Sequence, residues 1–285
     1  MFIMKKLKQT AGFMLLRLCM FTVIFFLCAI LFFIFSRGIK AISFEFLTQG
    51  PVNSMTGGGV APAIVGTLYL VLGALLFAIP LGLACAVYLC EYSPRGWVIN
   101  ILRISINNLA GVPSVVFGLF GLAVFVKYCK FGVSILSGSL TLGILALPMI
   151  ISVAQEALMA VPQSLREASL ALGATKWYTV RRIVLPNALP GILTGVILSV
   201  GRIAGETAPI LFTAAAFYIK GYPKSVMSEV MALPYHIYAL MTEGTHPDEQ
   251  TVIAYGCSLI LVFLVLGVST VAIIMRQKQR SNVHV

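Results

Sequence analysis

Charge is scarce in this sequence. Only 10% of its 285 residues are Asp, Glu, Lys or Arg, against about a quarter in an ordinary soluble domain. Several chemistries lack their residues as well. The three histidines, His236, His246 and His284, do not have metal-ligand spacing. The six cysteines, Cys19, Cys28, Cys85, Cys90, Cys129 and Cys257, form no Cys-x-x-Cys pair and read as small apolar filler. No Ser/His/Asp constellation stands out, so no catalytic residue is assigned. The dipeptide Gly-Lys is absent, and with it any phosphate-binding loop of the form G-x-x-x-x-G-K-[ST]. By motif the chain binds no ATP, metal or other cofactor.

What the sequence does have is apolar length. It is 59% hydrophobic, with a mean hydropathy of +0.99. Windows of about 20 apolar residues suffice to cross a bilayer as helices. Six are present, near Leu15–Phe35, Ala61–Leu89, Leu109–Val126, Val133–Val153, Leu189–Thr213 and Val252–Met275. They do not alternate in segments of about ten residues, which excludes a membrane β-barrel. The first window follows Lys5, Lys6 and Lys8 but is too long for a signal-peptide core, and no small-residue cleavage site follows it. It reads as a retained first helix. With the N-terminus inside, 13 of the 20 Lys and Arg residues fall on inside segments and 6 on outside ones. The positive-inside rule then puts both termini in the cytoplasm. Anionic lipid explains the formal charge of +11 without a nucleic acid.

The odd residue in that count is Arg202. It sits with Glu206 inside the fifth window, in SVGRIAGETAPILF, one helical turn apart. A charge at mid-bilayer costs about 2.5–3.5 kcal/mol on insertion scales. The pair therefore faces protein, water or its own partner. One reading is a buried ion pair that sets helix register, which is a weak source of stability. The other is an anion site, with Arg202 presenting a guanidinium to oxyanion oxygens and Glu206 neutralising it between passages. Ser199 and Thr207 are further hydroxyls for such a pathway, although each also suits a backbone-bonded role. Gly201, Ala204 and Gly205 would permit close helix approach, and Pro209 would kink the helix.

Two segments between the windows are long. Residues 154–188 are expected inside. Ser164 and Glu167 have capping-box spacing over SLREASLAL, Gly173 suits a left-handed stop, and Trp177, Val180, Ile183 and Val184 form a stripe before Pro186. The pattern fits a loop on the headgroups as well as a docking element for a soluble partner. Residues 214–251 are expected outside, with a short helix over Ser225–Leu233 and with Tyr235, His236 and Tyr238 at the membrane interface. Glu243, Asp248 and Glu249 read as solvated. Asn107 and Asn108 suit a helix cap at the start of the third window, and Gly111 and Pro113 a bend there.

The inner loop carries a resemblance. Its run E-A-S-x3-G-x9-I-x-L-P, here Glu167, Ala168, Ser169, Gly173, Ile183, Leu185 and Pro186 with Arg166 just before it, is similar to the EAA loop of ABC-importer permeases. That family usually has a second alanine where this chain has Ser169. Residues 57–71, 107–122 and 201–213 resemble the phosphate-specific branch, in its PstA-type subunit. The resemblance implies an all-α polytopic protein with six transmembrane helices, of the type I ABC-importer permease (MetI-like) fold, in a bacterial inner membrane. Residues 1–60 would hold the first helix and first external loop, 61–275 the permease core with the EAA loop, and 276–285 a cytoplasmic tail. It implies a second permease, two ATP-binding subunits that use the ATP, and an external phosphate-binding protein docked partly on residues 214–251. Residues 166–186 would couple to the ATPases, and Arg202, Glu206, Thr207 and Ser199 would line the phosphate path. The rival readings are a permease for another oxyanion or solute and a self-sufficient secondary carrier. A carrier often shows an internal repeat; no second copy of the charged span is apparent, and a carrier needs no EAA-like loop.

Overall fold

The computed structural model describes residues 2–94, 96–219 and 221–283. Arg95, Lys220 and His284 lie outside the described residues, as do the side chains of Lys5, Lys6, Lys8, Met275 and Arg280. The fold is helical apart from one two-residue ribbon. In chain order it runs α1 (Phe2–Gly38), α2 (Phe44–Thr48), a ribbon pairing Pro51–Val52 with Gly57–Gly58, α3 (Ala61–Val87, continuing as a π-helical turn over Tyr88–Tyr92), α4 (Trp97–Leu109), α5 (Ser114–Gly121, continuing as a π-helical segment over Leu122–Tyr128), α6 (Ile135–Met159), α7 (Gln163–Ala171), α8 (Lys176–Thr179, then a π-helical turn over Val180–Val184), α9 (Leu185–Gly205), α10 (Ala208–Thr213), α11 (Leu233–Thr242) and α12 (Pro247–Val283).

Among the described residues, five continuous helices are long and apolar enough to cross a membrane: Gly12–Gly38, Ala61–Tyr92, Ile135–Met159, Lys176–Gly205 and Pro247–Lys278. A sixth exists if α4 and α5 count as one broken span. The third window is thus not one helix from Leu109. α4 ends there and α5 leaves at 101°. Pro113 explains the break: it has no N–H to continue an α-helix and biases Val112 away from helical geometry. Asn107 and Asn108 consequently lie in the last turn of α4, where their carbonyls accept from Ala110 and Gly111, and they cap nothing at the start of α5.

α3, α6 and α9 form the centre. Leu70, Ala74 and Ala78 of α3, Leu142, Ala146 and Ile150 of α6, and Val200 and Ile203 of α9 share one buried cluster. Lipid tails are as apolar as these side chains, so within a bilayer the cluster is held by close van der Waals packing and not by removal of apolar surface from water. A second cluster defines the upper end of the bundle, where Phe46, Val60, Ala63, Leu233, Leu240 and Ala254 meet. A third defines the lower end: Ala86, Val87, Leu158, Val161, Val180 and Val184. α1 joins α12 at the upper end, where the Arg37 guanidinium lies 4.5 Å from the Phe33 ring and 5.6 Å from the Tyr255 ring.

The upper loop differs from its sequence reading. Ser225–Leu233 is not a helix. It turns at Ser225–Ser228, where the Ser228 N–H donates to the Ser225 carbonyl, and then runs extended. Its backbone takes the N–H groups of Ile135 and Leu136, which no turn of α6 can satisfy. Val230 pairs with Ala214 and Ala216. The helix comes later, as α11, with Pro234 in its first turn. Tyr235 and His236 are buried within it and covered by protein, while Tyr238 remains exposed.

Candidate functional site

The residues that the sequence singles out gather at two places, at opposite ends of the bundle. The upper one is a helix break. α9 stops at Gly205, and Glu206 is extended (φ −75°, ψ 125°). The chain restarts as α10 with Pro209 in its first turn. The fifth span is therefore two helices and not the continuous helix over Leu189–Thr213. Pro209 supplies the reason, since it cannot donate to the Gly205 carbonyl. The break comes at Glu206–Thr207, one turn before the kink expected at the proline itself.

Arg202 and Glu206 meet across this break. Arg202 Nε lies 3.7 Å from Glu206 Oε1, and their side chains are 31% and 17% exposed. That separation is an ion pair but not a hydrogen bond. Among the described residues, no protein acceptor closes on any of the five guanidinium N–H donors. Nothing lies within 4 Å of where a Cβ at Gly205 would be, so this glycine allows open space and no close helix contact. Gly201 is nearly as free, with Val265 at 3.9 Å. The tight approach comes lower on α9, where a Cβ at Gly195 would meet Val153 at 2.9 Å. Ala204 is buried. Ser199 is fully buried and donates to the Gly195 carbonyl at 2.8 Å, so its hydroxyl is spent on the helix. Thr207 precedes α10 without a side-chain capping bond and is partly exposed.

The lower site is the segment 160–186. α7 starts at Gln163, one residue before the expected Ser164, because Pro162 breaks α6 from it. Pro162 takes the N-cap position, and no Ser164 capping box forms. Gly173 has φ +81°, the left-handed stop its position requires. Ser169, where the similar loops have alanine, is buried and shares a 2.8 Å hydrogen bond with Thr179, tying α7 to α8. Ser169→Ala should lower stability by about 1 kcal/mol, the usual worth of one such bond, while transport persists; a thermal melt of the purified protein checks this. Glu167, Ala168 and Pro186 are exposed, and Ile183 and Leu185 are partly buried. Leu170, Leu172, Trp177 and Tyr178 leave apolar surface beside Glu167 at 48%, 89%, 57% and 55% exposure. An exposed apolar patch with a charge at its edge marks an interaction surface.

Arg166 does not belong to that exposed face. Its guanidinium is held on three sides. Nε and Nη2 donate to Glu91 Oε1 at 3.1 and 2.9 Å, Nη1 to the Val161 carbonyl at 2.6 Å, and Nη2 also to the Leu158 carbonyl at 2.8 Å. Sequence reasoning missed Glu91. The available signal was an acid at the end of an apolar span in a chain with only nine acids.

Known proteins resemble both the sequence and the fold. The family model described as "Binding-protein-dependent transport system inner membrane component" matches residues 78–280. A Bacillus subtilis protein, "Probable ABC transporter permease protein YqgI", is 35% identical, with 87% of this chain and 88% of that protein covered. "Phosphate transport system permease protein PstA" of Pasteurella multocida is 34% identical over 92% of each chain. PstA 1 of Mycobacterium tuberculosis is 37% identical over 80% of this chain and 74% of its own. In fold, the chain matches a bacterial ABC transporter involved in the import of the acidic polysaccharide alginate, with TM-score 0.66, 17% identity, and 93% and 94% of the two chains covered. It also matches the inward-facing MetNI methionine ABC transporter, with TM-score 0.61, 19% identity, and 77% and 95% covered.

Proposed function

The chain belongs to the family of binding-protein-dependent inner-membrane transport components, and from that premise we propose that it is one permease subunit of an ATP-driven importer of inorganic phosphate. The single observation that carries the substrate is the set of PstA relatives at 34–37% identity over most of the chain. The open guanidinium of Arg202 suits that substrate. Its donors are unspent by protein acceptors, and a guanidinium binds phosphate oxygens through paired hydrogen bonds. Glu206 at 3.7 Å is close enough to neutralise Arg202 and too far to occupy its donors. A dianion meeting a half-compensated charge can bind and still leave, as conduction requires. Thr207 stands at the same break as a hydroxyl donor to the passing anion; Ser199 helps only by packing α9.

The subunit has no ATP chemistry of its own. A second permease completes the pathway, two ATP-binding subunits dock on the exposed face around Glu167 and Leu172, and a phosphate-binding protein delivers substrate to the upper end. Both termini and the 160–186 segment face the cytoplasm of a bacterial inner membrane, a reading supported by the excess of Lys and Arg on those segments. Closure of the ATPases displaces α7 and switches access to the break at Glu206–Thr207.

The test is phosphate uptake by proteoliposomes holding the assembled complex, with ATP hydrolysis recorded in the same vesicles. Arg202→Gln should cut uptake by about tenfold or more, the worth of a charged hydrogen-bonded contact, while hydrolysis continues. Uptake equal to wild type would make Arg202 and Glu206 a structural pair. A wild-type complex that hydrolyses ATP and carries another oxyanion instead would overturn the substrate.

A further inference from the structure

α7 is weakly attached to the rest of the bundle by apolar packing. Its one buried residue is Ser169. Its rigid connection is polar, and it runs to a helix 75 residues earlier in the chain. Glu91 and Arg166 are only 10% and 13% exposed, and a single carboxylate oxygen takes two guanidinium donors. The rest of the Arg166 fork closes on the Leu158 carbonyl in the last turn of α6, which also accepts the Val161 N–H, and on the Val161 carbonyl just beyond that helix. The neighbouring residues repeat the linkage. The Lys176 ammonium lies 5.1 Å from the centre of the Tyr92 ring, joining α8 to the same turn. Both arms of the 160–186 segment thus grip Tyr88–Tyr92.

That turn is π-helical, a local widening of the ladder that often marks functional positions. Above it α3 runs unbroken to the upper site. From Glu91 to Thr67 is 24 residues, roughly 36 Å of helix. There Thr67 Oγ1 accepts the Leu233 N–H at 2.9 Å, and Thr67, Leu70 and Val71 line the same small space as Ile203 and Glu206. α3 thus reaches from the turn that holds Glu91 to the space beside the Glu206 break, staying helical past its interior Pro80.

We infer that Glu91 is the positioning residue that delivers motion of α7 to the translocation site, with α3 as the lever. The inference rests on the reading of the chain as an ATPase-driven permease. A buried ion pair whose two N–H donors converge on one carboxylate oxygen is suited to this work because it resists separation, whereas an apolar contact slides. Losing one partner leaves the other charge buried without its counterion, so the link is costly to break. The pair sits off the anion path, so its loss should spare substrate binding and ATP hydrolysis and separate one from the other.

The experiment compares wild type, Glu91→Gln and Glu91→Asp. Each is assembled as the whole complex in proteoliposomes, with uptake and ATP hydrolysis measured together and subunit stoichiometry checked by gel. The expected result for Glu91→Gln is an intact complex with near-normal hydrolysis and about tenfold less solute carried per ATP, within the usual range of coupling between sites. Glu91→Asp keeps the carboxylate and should retain more of the ratio than Glu91→Gln. A wild-type ratio in Glu91→Gln overturns the inference. So does loss of the ATP-binding subunits from Glu91→Gln that Glu91→Asp does not show, since the pair would then serve assembly. The ratio is read with whichever solute the wild-type complex carries, so a wrong substrate and a wrong lever give different outcomes.

Discussion

Gly66→Ala will cost the protein about 2–4 kcal/mol of stability and most of its transport. Gly66 lies on α3 where the extended stretch after Val230 crosses it. A Cβ there would fall inside the van der Waals envelopes of the Met231 carbonyl oxygen and Val230 Cγ2. The first of these is backbone and cannot rotate away. Met231 and Val230 are themselves buried, at 1% and 0% exposure, so the crossing segment has no free side to move into. Overpacking a close-packed site costs about 1–3 kcal/mol. Lifting the segment also breaks the hydrogen bond from the Leu233 N–H to Thr67 Oγ1, for about 1 kcal/mol more. Ala232 and Pro234 border Glu206, so the displacement reaches the helix break at Glu206–Thr207. The thermal midpoint of the purified protein should fall by roughly 5–10 °C, and uptake should fall with it. An unchanged midpoint would mean that the crossing segment yields without cost.

Gly66 also shows what one sequence can and cannot disclose. The apolar windows were legible because a bilayer-spanning helix needs only length and absence of charge. Four of the six windows correspond to continuous spanning helices, and Gly173 announces its left-handed stop. The other two windows break where a proline removes a donor. Those prolines were visible, but where the chain would yield was not. At Pro209 the helix stops three residues early, at Glu206, because the helix N-terminal to the proline must end before the lost hydrogen bond. The short helix expected over Ser225–Leu233 failed for a different reason. That stretch spends its backbone on α6, Ala214 and Ala216, partners far away in sequence, and tertiary demand overrides local propensity.

The candidate site divides the same way. Arg202 and Glu206 were conspicuous as charges in an apolar run, and the fold does bring them together. Ser199, equally conspicuous, proves to be bonded to its own helix. Arg166 was legible only as part of a motif. Its role as a fork joining α3, α6 and α7 depends on Glu91, and no local spacing rule connects residues 75 positions apart. Small residues around Arg202 suggested close helix approach. The approach occurs instead at Gly195 against Val153, because Gly201 and Gly205 lie on the open side of the end of α9 while Val200, Ile203 and Ala204 take the buried side.

Acid should unfold the upper end of the protein through one histidine. His236 lies in α11, outside the spanning helices, and is 2% exposed. Neither ring nitrogen has a hydrogen-bond partner. Burial therefore favours the neutral ring and pushes its pKa down to about 4 from the ordinary 6.5. In the unfolded chain the ring titrates near 6.5, so between these values the unfolded state binds more protons than the folded one. Stability is then fully present above pH 6.5 and is lost as pH falls through 6.5 toward 4. With about 1.4 kcal/mol per pKa unit, the loss by pH 4 is on the order of 3 kcal/mol. The pH dependence of the thermal midpoint measures it. His236→Leu keeps an apolar side chain of the packed size class and removes the titration, so the difference between wild type and variant should widen steadily below pH 6.5. Carboxylates that titrate in the same range are common to both proteins and cancel in that difference. A gap that stays constant from pH 7 to pH 4 would show that the ring finds a partner once it is charged. Loosening of this end would release the segment that Gly66 and Thr67 hold against Glu206.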